Sequence, residues 1–225
     1  MMKIPFGSTQ LVADVTPEGS RPSVLFLHGA GKSNRMTLRP LCEALVKDGI
    51  ASADFDFLGQ GDTGGDLTMS SLKERTEQAL AVINALDLQK PLTILGSSMS
   101  GYTAIKLSEI LPVDRLVLFR PGIYRRDVYD VPFSKFTEAI REPESWRKSD
   151  AFEILGRFTG EVLIIRAELD AVVPAEIISE LYQSATHAKS REVVTVPNMP
   201  HSLSYLFDYP EAFDFVYQTV KKFLL

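Results

Sequence analysis

Short, largely apolar runs punctuate this chain at residues 23–27, 50–55, 92–95, 113–119, 162–167 and 191–196. The lack of polar alternation at 23–27 is what a strand covered on both faces shows, and 162–167 is likewise of buried type. Between the runs lie stretches with apolar residues at helical spacing. Residues 37–47 carry Leu38, Leu41, Cys42 and Leu45 on one stripe, and further helical patterns span 72–86, 102–111, 175–185 and 210–225. Ser70 or Ser71 is placed to cap the second of these, with Glu74 positioned to complete a capping box with Ser71. Regular alternation of strand and helix predicts an α/β protein: a mostly parallel central sheet with helices on both faces. Residues 1–15 alternate weakly about Gly7-Ser8, which predicts a hairpin at one sheet edge.

One segment breaks the alternation. Residues 121–158 are rich in charge and aromatics, including Tyr124, Tyr129, Phe133, Phe136 and Trp146, and short helices are expected around 134–141 and 145–155. An insertion after the C-terminal end of a strand lies where open α/β sheets bind ligands, so it is read as a small helical cap. The 225 residues then form a single domain, 1–225, with the cap inserted at about 121–158.

The run at 92–95 ends in Gly96-Ser97-Ser98-Met99-Ser100-Gly101 and passes directly into a helical pattern. That is the G-x-S-x-G nucleophile elbow with Ser100 in place of the second glycine. A strand that turns into a helix within about two residues lifts the apical side chain clear of the sheet and demands small neighbours. Ser98 is therefore the candidate nucleophile.

The first run ends in His28-Gly29-Ala30-Gly31-Lys32-Ser33, which supports two readings. Gly-Lys-Ser after a strand suggests a phosphate-cradling P-loop and a nucleotide-binding protein, yet the glycine required five positions before Gly31 is Phe26. A His-Gly turn whose following amide helps to bind an oxyanion agrees better with the elbow downstream. The glycines at 59, 61 and 64 approach a dinucleotide fingerprint but no helical pattern follows at once, so they are assigned to tight turning. Asp56, at the head of that loop, is read as its organiser.

Asp170 and His201 each fall just beyond a later strand. In a parallel sheet all C-terminal strand ends face one way, which gathers Ser98, Asp170 and His201 into one crevice. With the His28-Gly29 turn, the 56–61 loop, the elbow, the 168–174 loop and the His201 loop in this order, the chain resembles the α/β-hydrolase superfamily over nearly its whole length. Ser100, Thr63 where a serine is common, and a very short N-terminal sheet edge are its departures.

The resemblance implies a serine hydrolase of small carboxylic esters or related acyl compounds. Ser98 would be nucleophile, His201 base, and Asp170 the acid that orients it, with the N–H groups of Ala30 and Met99 as oxyanion donors. His28, Arg120 and Tyr124 are candidate substrate contacts. Arg120, Arg125 and Arg126 fit either an acidic substrate group or a solvated cluster. A hydrolase-fold module without catalysis is the remaining reading. No cofactor and no metal is required.

Charge and composition narrow the partners. A net charge of -5 offers no basic footprint for nucleic acid. The single cysteine, Cys42, excludes an internal disulfide, lies on an apolar stripe as a buried thiol, and fits a reducing compartment. The N-terminus lacks the apolar core of a signal peptide and no run is long enough to span a bilayer, so a cytoplasmic protein with no membrane segment is expected. His187 is expected at the surface.

Overall fold

The computed structural model describes all 225 residues. Its strands are β1 (Met2–Phe6), β2 (Thr9–Thr16), β3 (Val24–Leu27), β4 (Ser52–Phe55), β5 (Thr93–Ser97), β6 (Arg115–Phe119), β7 (Glu161–Ala167) and β8 (Ser190–Val196). Its α-helices are α1 (Arg39–Val46), α2 (Leu72–Leu86), α3 (Ser100–Ile110), α4 (Phe133–Ala139), α5 (Ala151–Arg157), α6 (Ala175–Ser184), α7 (Ser204–Asp208) and α8 (Pro210–Leu224).

The strands form one eight-stranded sheet in the order β1-β2-β4-β3-β5-β6-β7-β8. The β1-β2 hairpin and the β2-β4 pair are antiparallel, and every later pair is parallel. Gly7, at φ +55°, makes the hairpin turn that the sequence pattern anticipates.

The apolar runs fill both faces of this sheet. Ile94, Leu116, Leu118, Val162 and Ile164 join α2, α3, α5 and α6 in one core. Their neighbours Leu95, Val117, Phe119, Leu163 and Ile165 point the other way, into a second core with α1 and α8. Strand side chains alternate between faces, and both faces are dry along β5, β6 and β7, so their sequences are largely apolar, whereas edge strand β8 is mostly exposed.

Two expected helices form differently. The pattern at 37–47 divides into a 3₁₀ turn at Arg35–Leu38, capped by Asn34, and α1, because Pro40 fits only the first turn of an α-helix. The second helix of the insertion breaks at Ser149-Asp150 into a 3₁₀ turn at Ser145–Lys148 and α5. α7 was not anticipated. Ser71 does cap α2, accepting the Glu74 N–H at 3.1 Å.

The chain leaves β3 for β4 on one side and reaches β5 on the other. That reversal of winding opens a crevice at the C-terminal strand ends, where the loops after β3, β5, β7 and β8 meet. No helix is long and apolar enough to cross a membrane.

Candidate active site

The elbow is built by close approach of backbone. Ser98 has φ +52°, a left-handed conformation that is costly for a residue with a side chain and persists only where the surroundings impose it. They do so here through three backbone bonds. Ser98 N–H donates to Phe119 O at 2.9 Å, and Ser98 O accepts the N–H groups of Gly101 and Gly122, both at 2.8 Å. A Cβ on Gly96 would stand 2.2 Å from Ser100 O, so glycine is required there. At position 100 a side chain is accommodated. The buried Ser100 hydroxyl donates to His28 O at 2.6 Å and accepts from Arg75 Nη2 at 2.9 Å.

Three side chains distant in sequence converge. Ser98 Oγ lies 3.1 Å from His201 Nε2. On the other side of the imidazole, Nδ1 is 2.8 Å from Asp170 Oδ2 and 3.0 Å from Oδ1. Asp170 Oδ1 also accepts the N–H groups of Val172 at 2.8 Å and Val173 at 2.9 Å, which fixes the carboxylate at the head of the loop after β7. Burial alone would raise the pKa of Asp170, but the bonds from His201, Val173 and Val172 outweigh it and hold the carboxyl below its ordinary value.

The backbone N–H groups of Ala30 and Met99 donate to no protein acceptor. The loop that carries Ala30 passes so close to the elbow that a Cβ on Gly29 would lie 3.2 Å from Ser98 Cβ. Gly31 O and Ser33 O both accept from Gln60 Nε2, at 2.9 and 3.0 Å, and a 3₁₀ turn follows at Arg35. A P-loop needs an α-helix opening at the Lys-Ser pair. That reading does not fit this turn.

The expected substrate contacts separate. Tyr124 lines a cavity of about 440 Å³ beside Ser98, with Ile123, Ile140, Trp146, Val173 and Ile177. His28 is buried and does not line it. Its Nε2 accepts the Phe57 N–H at 3.3 Å and its Nδ1 donates to Gly29 O at 2.9 Å. Burial, with Arg75 nearby, lowers the pKa of His28 to about 3 against the pull of Gly29 O, so the ring is neutral and bridges two loops. Arg120, at φ +48°, is also buried, and its Nη2 donates to Ser97 Oγ at 2.8 Å. Burial lowers its pKa to about 10, opposed by Asp170. Expectations of substrate contact for His28 and Arg120 are therefore corrected: both side chains turn into the protein. Arg125 pairs with Asp127 and Glu142 at the surface.

Asp56 organises its loop as expected. Its carboxylate accepts the Arg35 and Asp62 N–H groups at 2.7 and 2.8 Å and pairs with the Arg35 guanidinium. Arg35, Gln60 and Arg75 were not singled out from sequence. For Arg75 a signal existed, since it stands on the stripe of α2 that buries Leu72, Ala79 and Val82. A charge on an apolar stripe needs a partner. No group of three or more His, Cys, Asp and Glu side chains is placed to hold a metal ion. A larger recess, of about 620 Å³, lies at the hairpin edge between Met1, Thr16 and Leu86, and none of Ser98, Asp170 and His201 lines it.

Comparison with known proteins bears on the family and the fold. A family model described as serine aminopeptidase, S33, matches residues 18–147. The lysophosphatidylserine lipase ABHD12 of Danio rerio is 30% identical over 211 residues, covering 83% of this chain and 53% of its own length. The chain thus spans about half of that relative. Among solved structures, ferulic acid-bound Est1E from Butyrivibrio proteoclasticus superposes with a TM-score of 0.76 at 19% identity, over 100% of this chain and 98% of its own. The enol-lactonase of Burkholderia xenovorans LB400 gives 0.75 at 17% identity, over 99% of each chain.

Proposed function

The chain belongs to the α/β-hydrolase superfamily, and from that premise we propose that it is a serine hydrolase of small carboxylic esters or related acyl compounds, working through an acyl-enzyme. The observation that carries this reading is the continuous relay Ser98 Oγ, His201, Asp170, with contacts of 3.1 and 2.8 Å.

In this proposal Ser98 Oγ attacks the acyl carbon while His201 Nε2 takes its proton, because a serine hydroxyl is a poor nucleophile until a base removes that proton. Asp170 holds the imidazole with Nδ1 protonated and stabilises its cation. The oxygen that gains negative charge is received by the free N–H groups of Ala30 and Met99, each donor being worth on the order of 3 kcal/mol in the transition state. Collapse expels the alcohol, which takes the proton from His201. Water then attacks the acyl-enzyme, gives its proton to His201, and releases the acid as Ser98 recovers its own.

The 121–158 segment is proposed as the cap over this site. It supplies Tyr124, Ile140 and Trp146 to the cavity wall, where apolar side chains stand beside Arg141, Glu142 and Glu144, and the apolar part suits an acyl or aryl group. Lipase and lactonase, the activities in two relatives' names, support acyl–oxygen cleavage as the chemistry. A reducing, cytoplasmic setting is proposed on the single cysteine, free and buried.

The test is turnover of p-nitrophenyl acetate and butyrate, of a thioester, and of an aminoacyl p-nitroanilide by wild type and Ser98→Ala. Wild type is expected to hydrolyse at least one ester and Ser98→Ala to lose about 10⁴-fold or more in kcat. Full activity in the mutant would remove Ser98 as nucleophile. Inactivity of wild type on every acyl compound would favour a binding module.

A further inference from the structure

Arg75 is only 1% exposed, and no carboxylate pairs with it. A guanidinium taken out of water without a counter-charge is costly unless its environment replaces the lost hydration. Here the replacement comes from the carbonyls of the loop after β3 together with Ser100, Gln60 and Phe57, while Nε has no partner. Nη2 donates to His28 O at 2.8 Å and, more weakly, towards Gly29 O at 3.4 Å. It also donates to Ser100 Oγ at 2.9 Å, and that hydroxyl passes the restraint on to His28 O. Nη1 donates to Gln60 Oε1 at 2.7 Å, which turns the Gln60 amide so that Nε2 reaches Gly29 O at 3.3 Å and Gly31 O at 2.9 Å. The ring of Phe57 closes the remaining face, 3.6 Å from the guanidinium carbon.

Arg75, Ser100 and Gln60 each place a donor on the carbonyl side of two consecutive peptides, at His28 O or Gly29 O, while Gln60 also holds Gly31 O and Ser33 O further along the loop. A planar trans peptide points its N–H away from its C=O. Gly29 O and the Ala30 N–H belong to one peptide, His28 O and the Gly29 N–H to the one before it. Drawing both carbonyls inward turns the Ala30 N–H outward, and it is there that the group has no protein acceptor.

We infer that Arg75 is a positioning residue for the oxyanion site: from behind the loop, directly and through Gln60 and Ser100, it locks the peptides between His28 and Ala30 with their N–H groups facing Ser98. Its charge also polarises those peptides. Donors held and polarised in this way stabilise an oxyanion more than a neutral carbonyl, so the effect falls on kcat and spares KM. Ser100 acquires a reason as well. A glycine there would leave the guanidinium one acceptor short. Burial lowers the pKa of Arg75, with Tyr124 opposing, as befits a cation solvated by carbonyl dipoles rather than by a carboxylate.

This inference rests on the serine hydrolase reading, and the test separates the two. Arg75→Lys and Arg75→Gln, checked for folding by circular dichroism, are assayed on the best ester and against an alkyl trifluoromethyl ketone. Ser98 Oγ adds to that ketone, its proton passes to His201, and the ketone oxygen becomes an oxyanion, so Ki reads the oxyanion site. In Arg75→Gln kcat is expected to fall about 10- to 100-fold, with Ki rising by the same factor and KM within about twofold of wild type. Arg75→Lys, which keeps the charge but not the fork, is expected to fall between. A folded Arg75→Gln with wild-type kcat and Ki, or with a loss confined to KM, overturns the inference and leaves the hydrolase reading intact. Should neither variant fold, Ser100→Ala decides: a severalfold rise in Ki at constant KM supports the inference, and an unchanged Ki overturns it. A wild type that cleaves no acyl compound and forms no ketone adduct overturns both.

Discussion

The backbone of Ser98, the proposed nucleophile, is held at φ +52° by bonds with Phe119, Gly101 and Gly122, and that conformation leaves no space at Gly96. Gly96→Ala sets a methyl 2.2 Å from a backbone carbonyl, a contact that only movement of the elbow relieves. We expect it to destabilise the protein by about 3 kcal/mol, read as a lower urea midpoint, and to cut ester turnover. An unchanged midpoint would mean that the turn is looser than described. At this scale the sequence was most informative where chemistry and strand ends coincide. Ser98, Asp170 and His201 each follow an apolar run, so topology alone brought them together. Arg120 also stands at a strand end, but spacing cannot say that its φ of +48° turns the side chain inward to Ser97. Arg75 and Gln60 act through carbonyl groups, which leave no trace in a side-chain pattern.

Where β2, β4 and α1 meet, the elements are joined by charge. Arg39 reaches Asp14 at 2.7 Å and Asp54 at 3.0 Å, and Arg35 reaches Asp14 at 2.8 Å. Burial raises the pKa of Asp54 to about 7 in spite of Arg39, with Asp14 adding to the rise. An aspartate in the unfolded chain titrates near 3.9, roughly, so between these values the folded protein binds the extra proton. The stability that protonated Asp54 contributes is therefore complete below about pH 4 and is lost as pH rises through about 7. Urea midpoints of wild type and Asp54→Asn at pH 5 and pH 8 test this. Wild type should lose stability relative to the variant on going to pH 8, and a constant difference would contradict it. Periodicity foretold the element types at this scale, while their ends depended on local devices. Pro40 moved the start of α1, and the insertion's second helix broke at Ser149-Asp150, a step that no apolar spacing marks.

For the whole molecule, alternation of strand and helix was enough to anticipate the parallel sheet, and the one interruption marked the segment beside the site. What lay beyond the sequence was the shape of the space. The cavity next to Ser98 draws its walls from the 121–158 segment, from the loop after β7 and from α6, three regions whose contact only the folded chain defines. The loop that fixes Asp170 also contributes Val173 to the pocket, so in the proposed reaction one frame holds both the acid and the substrate wall. The account's central claim is that this frame makes Ser98 a nucleophile. A fluorophosphonate tests it by requiring the serine to attack phosphorus and expel fluoride, with the product read from the intact mass of the protein and the mass of its peptides. Wild type is predicted to gain one adduct, carried by the peptide that contains Ser98, and Ser98→Ala to gain none; an unlabelled wild type, or an adduct on any other residue, would contradict the claim.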